Sequence, residues 1–164
     1  MRSTRGAQIE TAALFSAHIY DVPVQARKSL DEIRGLRKQR EQSLEELAEA
    51  QAAAILSGVQ EENRRKLVVR TFADRDMNFL KLLAQKLTRI VPNVIALLGT
   101  TSPQPSLVFA QSVGQPADMG KLMKEALVKV GGRGGGSKDM AQGGVPDAQS
   151  ISAALESAAS QING

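Results

Sequence analysis

The chain has 164 residues, of which 42% are apolar, so it has room for one folded domain of ordinary size with an extension. It contains no cysteine and one histidine, His18, which excludes disulfides, thiolate nucleophiles and a cluster of histidines around zinc. The net charge is +4, and no apolar run approaches the ~20 residues of a membrane-spanning helix, so we expect a cytoplasmic protein that does not enter a membrane.

Residues 1–59 are predicted to form a helical arm. The spacing of apolar residues predicts a first helix over about 7–19 and a long helix over about 22–57, where nearly every residue favours a helix. Apolar residues of the long helix recur at a and d positions of one heptad frame, and its charges are mostly basic up to Arg40 and acidic after it. Two antiparallel copies would set each basic half against an acidic half. The predicted dimer contacts are Leu30, Ile33, Arg37, Arg40, Leu44 and Leu47.

The same pattern also fits an arm that folds against residues 7–19 of its own chain. The heptad spacing does not distinguish this intramolecular arrangement from a homodimer. Both alternatives stay open at this point.

Residues 60–164 are predicted to form an α/β (α+β) domain with the order β-α-β-β-α-α, preceded by the long, coiled-coil-like helical arm. Short β-branched or apolar runs predict strands, and amphipathic runs with Asp at their start predict helices, capped by Asp74 or Asp76 and by Asp118. Ile90 falls on the apolar face of the helix over 73–90 and is expected to point inward. The predicted elements are a strand over 66–72, a helix over 73–90, strands over 93–100 and 106–112 joined as a hairpin, and helices over 119–130 and 146–160. Residues 131–144 are left as a glycine-rich loop between the last two helices.

The glycine-rich loop reads GGRGGGSKDMAQGG, with seven glycines in fourteen positions. It is not a P-loop, because a helix precedes it and Ser137 comes before Lys138, and it departs from the dinucleotide fingerprint at Ser137. Consecutive glycines expose their amide groups, which could form a nest for anionic oxygens with Arg133 and Lys138 alongside. The alternative is a tight connection in which the glycines only allow positive φ and close packing.

The surroundings of this loop are basic. Between residues 119 and 145 there are five basic and two acidic side chains, which fits an anionic partner. Carboxylates elsewhere in the α/β part occur singly, mostly at predicted helix caps, and the few aromatic residues lie mostly on apolar faces. We therefore expect no catalytic residue, no metal site and no cofactor in this chain.

The segment DMGKLMKEALVKVGGRGGGSKDMAQGGVPDAQSISAALESA resembles the C-terminal, DHH-associated domain of alanyl-tRNA synthetases. Upstream, VVRTFADRDMNFLKLLAQKL, VIALLG and LVFAQS resemble the same domain in stand-alone alanyl-tRNA editing proteins. The resemblance covers about residues 60–164, and the arm is similar in kind to the linking segment of both groups. The sequence departs from the family where Ser137-Lys138 replaces a common Arg-Pro and where Val145 replaces a third glycine.

The resemblance implies that this domain binds tRNA, with tRNA-Ala as the expected partner, and helps to form a homodimer. Carried onto this sequence, the expected nucleic-acid-binding residues are Gly131, Gly132, Arg133, Gly134, Gly135, Gly136, Ser137, Lys138, Asp139, Gln142, Gly143 and Gly144, with Lys121, Lys124 and Lys129 as weaker contributors. The editing hydrolase of the family uses a zinc site of histidines and cysteine, which this chain lacks. We therefore expect a non-catalytic C-terminal portion of a larger editing protein or synthetase, with Met1 an added or internal start.

Two other interpretations stay open. Related domains form the nucleotide-holding half of DHH phosphoesterases, although their glycine motif carries a histidine that is missing here. The chain could also be a purely structural dimerisation module, in which the glycine segment is only a turn.

Overall fold

The structure is a computed structural model that describes residues 4–16, 18 and 20–163. The chain forms two compact units, and the boundary between them lies between Leu44 and Glu45. The sequence-based division after residue 59 follows the change from helix to strand, whereas the compact units divide within the long helix.

The helical part consists of α1 (Thr4–Leu14) and α2 (Val22–Gly58), and the long helix predicted over 22–57 is confirmed. The first helix begins earlier than predicted and ends at Leu14 instead of about residue 19. It ends there because Ser16 adopts a left-handed conformation with φ 50°, which a continuing right-handed helix does not allow. Positions 17 and 19 of the predicted helix lie outside the described residues.

The predicted heptad positions of α2 are exposed along its first half. Leu30 is 54% exposed and Ile33 is 45% exposed, and the two arginines of the same row are exposed as well. Leu44 and Leu47 are half-buried. The pairing of this row with a second copy stays a prediction.

The second unit contains a five-stranded mixed sheet. Its elements are β1 (Lys66–Phe72), α3 (Met77–Ile90), β2 (Val94–Thr100), β3 (Ser106–Gln111), α4 (Met119–Val130), β4 (Arg133–Gly136), β5 (Met140–Gly144) and α5 (Ser150–Asn163). The strand order is β1-β2-β3-β5-β4, in which β1 and β2 are parallel and the other neighbours are antiparallel. The predicted α/β fold class and the β2–β3 hairpin are confirmed.

Helices cover both faces of the central strands, so β2 and β3 are buried along their whole length. On one face, Leu97 and Phe109 belong to a core that is built with α4 and α5. The alternate residues of the same strands point to the other face, where α3 packs. This burial on both sides explains why β2 and β3 read as nearly continuous apolar runs.

Helix α3 begins with an N-cap, as its sequence predicts. The Asp76 side chain accepts a hydrogen bond from the N–H of Phe79 at 2.8 Å, so Asp76 and not Asp74 is the cap. Ile90 was expected to point inward, and this is wrong, since it is 48% exposed in the last turn of the helix. The last helix, predicted over 146–160, begins later, at Ser150.

The glycine-rich segment is a hairpin of two strands and not a loop. The sequence does not indicate this, because glycine is depleted in strands. The strand conformation of this segment depends instead on the pairing of β5 with β3, in which Met140 lies opposite Ala110 and Gly144 opposite Ser106. The observed order of the domain is therefore β-α-β-β-α-β-β-α, which adds two strands to the predicted elements.

Candidate nucleic-acid interface

Strand β4 is the outermost strand on its side of the sheet and is paired on one edge only. The N–H of Ser137 donates to the carbonyl oxygen of Met140 at 2.8 Å, which sets the alternation of hydrogen-bonded and non-hydrogen-bonded pairs along the β4–β5 ladder. Following the register back, Gly134 and Gly136 fall in non-hydrogen-bonded pairs, so their N–H groups are directed away from β5. Both residues are exposed. The register therefore directs two backbone donors away from β5. On that side the carbonyl oxygen of Gly136 faces Gly120 of α4, where a Cβ atom would lie 2.7 Å from it.

The glycines of the hairpin are required by close packing against β5 and α4. A Cβ atom at Gly134 would overlap the main-chain oxygen of Gln142 and the Cα of Gly143, and would lie 2.9 Å from Cδ1 of Leu127. A Cβ atom at Gly143 would lie 2.5 Å from the same Leu127 carbon. Leu127 belongs to α4 and is buried in the core. The hairpin thus lies directly on the helix, with no room for a methyl group between them.

The backbone of this segment does not form the expected nest, which requires successive residues in right- and left-handed helical conformations. Within residues 131–144, all of which are described, Gly131 alone has a positive φ, 69°. Gly131 ends α4 by donating its N–H to the carbonyl oxygen of Leu127. The prediction of a nest is therefore wrong. The backbone donors that β5 does not use are the N–H groups of Gly134 and Gly136.

The turn between β4 and β5 is fixed by its main chain while its side chains stay exposed. The carbonyl oxygen of Lys138 accepts a hydrogen bond from the N–H of Met119 at 2.8 Å, and the carbonyl oxygen of Asp139 accepts one from the N–H of Gln111 at 3.0 Å. Gln111 is not among the site residues expected from the sequence. The signal was a polar residue at the end of an otherwise apolar strand.

Three of the expected basic residues lie beside β4. Arg133 begins the strand, Lys138 lies in the turn that follows it, and both are exposed. The Cε atom of Lys124 lies 3.5 Å from the position that a Cβ atom would take at Gly135. Cationic side chains are therefore present at the start, the middle and the end of the open edge.

The other expected contributors are less available. The Nζ atom of Lys129 donates to the hydroxyl of Ser157 at 2.8 Å, which directs it toward α5. The Nζ atom of Lys121 lies 3.9 Å from a carboxylate oxygen of Glu125. Gly143 is buried against α4 and presents no surface to a ligand.

The connection from β5 to α5 carries the one carboxylate for which a clear pKa shift is found in the described part of the chain. The N–H and the hydroxyl of Ser150 both donate hydrogen bonds to the carboxylate of Asp147. These bonds, that of the N–H first, lower the pKa of the carboxyl below its usual range. Both donors are 2.8 Å from Oδ1. Asp147 thereby holds the start of α5.

Over residues 4–16, 18 and 20–163, no group of three or more His, Cys, Asp or Glu side chains is arranged to hold a metal ion. No helix in the described part of the chain is both long and apolar enough to cross a membrane.

Comparison with protein families gives a match between residues 63–164 and the family model described as the DHHA1 domain. Among curated proteins, the alanine–tRNA ligase of Halalkalibacterium halodurans is 30% identical over 151 residues, which are 89% of this chain and 17% of that protein. The alanine–tRNA ligase of Shewanella amazonensis is 29% identical over 157 residues, which are 94% of this chain and 18% of that protein. The chain thus spans less than a fifth of the length of these relatives.

Among solved structures, the RecJ protein of Thermus thermophilus, crystallised with Mn²⁺, matches 96% of this chain and 24% of its own. The TM-score is 0.55 and the sequence identity is 17%. At this identity the likeness is one of fold.

Proposed function

The chain belongs to the DHHA1 domain family, and from this premise we propose that it is a non-catalytic module that binds tRNA. The proposal rests on one observation above the others. The exposed edge strand β4 presents outward N–H groups at Gly134 and Gly136 and is flanked by the cationic side chains of Arg133, Lys124 and Lys138.

Backbone N–H groups and cations of this kind bind phosphate and sugar oxygens, which position a nucleic acid without reading much of its sequence. Arg133 suits this contact because its planar guanidinium can donate two parallel hydrogen bonds to a phosphate. The glycines leave the main chain of β4 without side-chain cover, so a sugar-phosphate backbone can approach the donors closely. We expect affinity to depend strongly on salt and weakly on base sequence.

The choice of tRNA among nucleic acids is supported by the relatives, which are alanine–tRNA ligases. We propose tRNA-Ala as the partner and the cytoplasm as the location. The chain would be the C-terminal part of an alanyl-tRNA synthetase or of an alanyl-tRNA editing protein. In either parent the catalysis, including any zinc-dependent editing, would reside outside these 164 residues.

We also propose that α2 joins two copies of the chain in antiparallel orientation. Residues 27–40 carry six basic and two acidic side chains, whereas residues 41–49 carry four acidic and no basic ones. The heptad row runs through both segments and exposes apolar surface at Leu30 and Ile33, which a second copy would bury. Lys86 lies 3.7 Å and 3.6 Å from carboxylate oxygens of Glu45 and Glu49, yet both carboxylates remain mostly exposed to a partner.

Filter binding of a tRNA-Ala transcript to the 164-residue chain tests the tRNA proposal. We expect binding at low salt, with log K falling linearly against log salt concentration. Absence of binding at low ionic strength would overturn the proposal. Cleavage of a short oligonucleotide by the purified chain with Mn²⁺ added would instead favour the phosphoesterase class.

A further inference from the structure

We propose that Gln111 is a positioning residue for the tRNA interface, although it touches no part of the edge strand that would meet tRNA. Gln111 is the last residue of β3 and is 3% exposed. The inference rests on the proposed tRNA binding and assigns to this buried amide the placement of Lys138.

The side-chain amide of Gln111 links the hairpin turn to the segment before α4. Its Nε2 atom donates to the carbonyl oxygen of Ala117 at 2.7 Å and to that of Lys138 at 3.0 Å, and it lies 3.3 Å from Oδ1 of Asp139. Its own backbone N–H donates to the carbonyl oxygen of Asp139 at 3.0 Å. One residue thus holds two consecutive residues of the turn and the residue just before the N-cap of α4.

The carbonyl oxygen of Lys138 receives a second donor, the N–H of Met119 in the first turn of α4. The main chain of Lys138 is therefore held between the sheet and the helix, while its side chain remains exposed. This arrangement fixes the start of a long, flexible side chain without restricting its ammonium group. It fixes the point from which that side chain extends, relative to Arg133 at the far end of β4.

The Oε1 atom of Gln111 is buried and has no hydrogen-bond partner among the described residues. Reversing the amide would leave Oε1 facing three oxygen atoms, so the observed orientation is the one in which the amide donates. A buried acceptor without a partner is unfavourable. Glutamine at this position therefore supplies donors to the turn at the expense of an unsatisfied acceptor, whereas an apolar side chain of similar size would avoid that cost.

The test compares Gln111→Met, which keeps the volume and removes the donors, with Gln115→Met as a matched control. Gln115 donates to the carbonyl oxygen of Pro92 at 3.4 Å, away from the turn. We expect Gln111→Met to weaken binding of a tRNA-Ala transcript about fivefold. We expect it to lower the salt slope by about one unit, as the loss of the Lys138 phosphate contact would. The control should change neither quantity.

A double-mutant cycle with Lys138→Ala identifies the route of the effect. If Gln111 acts through Lys138, the double variant should bind within about twofold of Lys138→Ala alone, whereas Gln111→Met and Arg133→Ala should be additive. Full additivity with Lys138→Ala would overturn the positioning role. A Gln111→Met variant that binds tRNA like the wild type would also overturn the positioning role and leave the tRNA proposal intact. A wild-type chain that does not bind tRNA would overturn both the positioning role and the tRNA proposal.

A measurement on the wild-type chain covers the case in which Gln111→Met does not fold. In a ¹⁵N NMR spectrum, the Nε2 protons of Gln111 should exchange slowly with solvent and should shift when tRNA is added. Rapid exchange, or no shift at saturating tRNA, would overturn the inference.

Discussion

The carbonyl oxygen of Lys138 accepts a hydrogen bond from the N–H of Met119 at 2.8 Å, which joins the turn of the glycine hairpin to the first turn of α4. The helix also packs against the hairpin through Leu127. The edge strand is therefore attached to the core at its turn and along its length. We therefore expect a substitution in this packing to change stability, and a substitution of an exposed cation to change binding.

Gly134→Ala is expected to destabilise the fold by about 1–3 kcal/mol, because the new methyl group would overlap the main chain of β5 and crowd Leu127. Gly135→Ala is the matched control in the same strand, since its methyl group would meet only Cε of Lys124 at 3.5 Å. We expect the control to stay within about 0.5 kcal/mol of the wild type. Urea denaturation of both variants measures the difference, and equal midpoints would contradict the packing account.

The variant with both Arg133→Ala and Lys138→Ala should weaken tRNA binding for all tested sequences. Its salt slope should fall by about one unit for each lost phosphate contact. Lys129→Ala should have a much smaller effect, because Nζ of Lys129 already donates to Ser157. Filter binding at several salt concentrations gives both quantities. Equal affinity of the double variant and the wild type would favour the purely structural interpretation of this domain.

Ile33→Glu should shift the chain toward monomer, because it places a charge in the proposed contact between two α2 helices. Val24→Glu is the control, since Val24 is exposed but lies outside the heptad row. Sedimentation velocity at increasing protein concentration measures the association. A wild-type chain that remains strictly monomeric at high concentration would exclude this dimer.

The sequence predicts the helix caps of this domain but not the two strands of its glycine-rich segment. Asp76 and Asp118 each precede an amphipathic run, and each accepts a hydrogen bond from an N–H of the first turn, so local chemistry predicted these caps. The strands of the glycine segment depend on pairing with β3 and packing on Leu127, which are contacts between distant parts of the chain. Ile90 fitted the apolar spacing of α3 but lies in the last turn, where the helix is exposed.

Among the expected site residues, Arg133 and Lys138 are proposed from their charge beside exposed glycines, and the structure brings Lys124 to the same strand. The sequence did not separate Lys129, whose partner Ser157 lies in another helix, from the lysines beside β4. Gln111 was missed for the same reason, since its partners come from two later segments of the chain.

The carboxyl group of Asp147 should titrate below the usual range of aspartate, because the N–H and hydroxyl of Ser150 favour its charged form. A lowered folded-state pKa contributes stability above the unfolded-state pKa, and this contribution disappears as the pH falls through the folded-state value. Asp147→Asn should remove this part of the acid dependence. NMR titration of the carboxyl carbon checks the direction, and an ordinary or raised pKa would contradict the contact.

The composition of β4 has a consequence for solubility. An unpaired strand at the margin of a sheet is a template on which other chains can add strands and aggregate. With four residues, three of them glycine and one arginine, β4 offers too little length, side-chain surface and β-propensity to hold such an intruding strand. The glycines that leave the main chain of β4 without side-chain cover therefore also discourage amyloid-like growth.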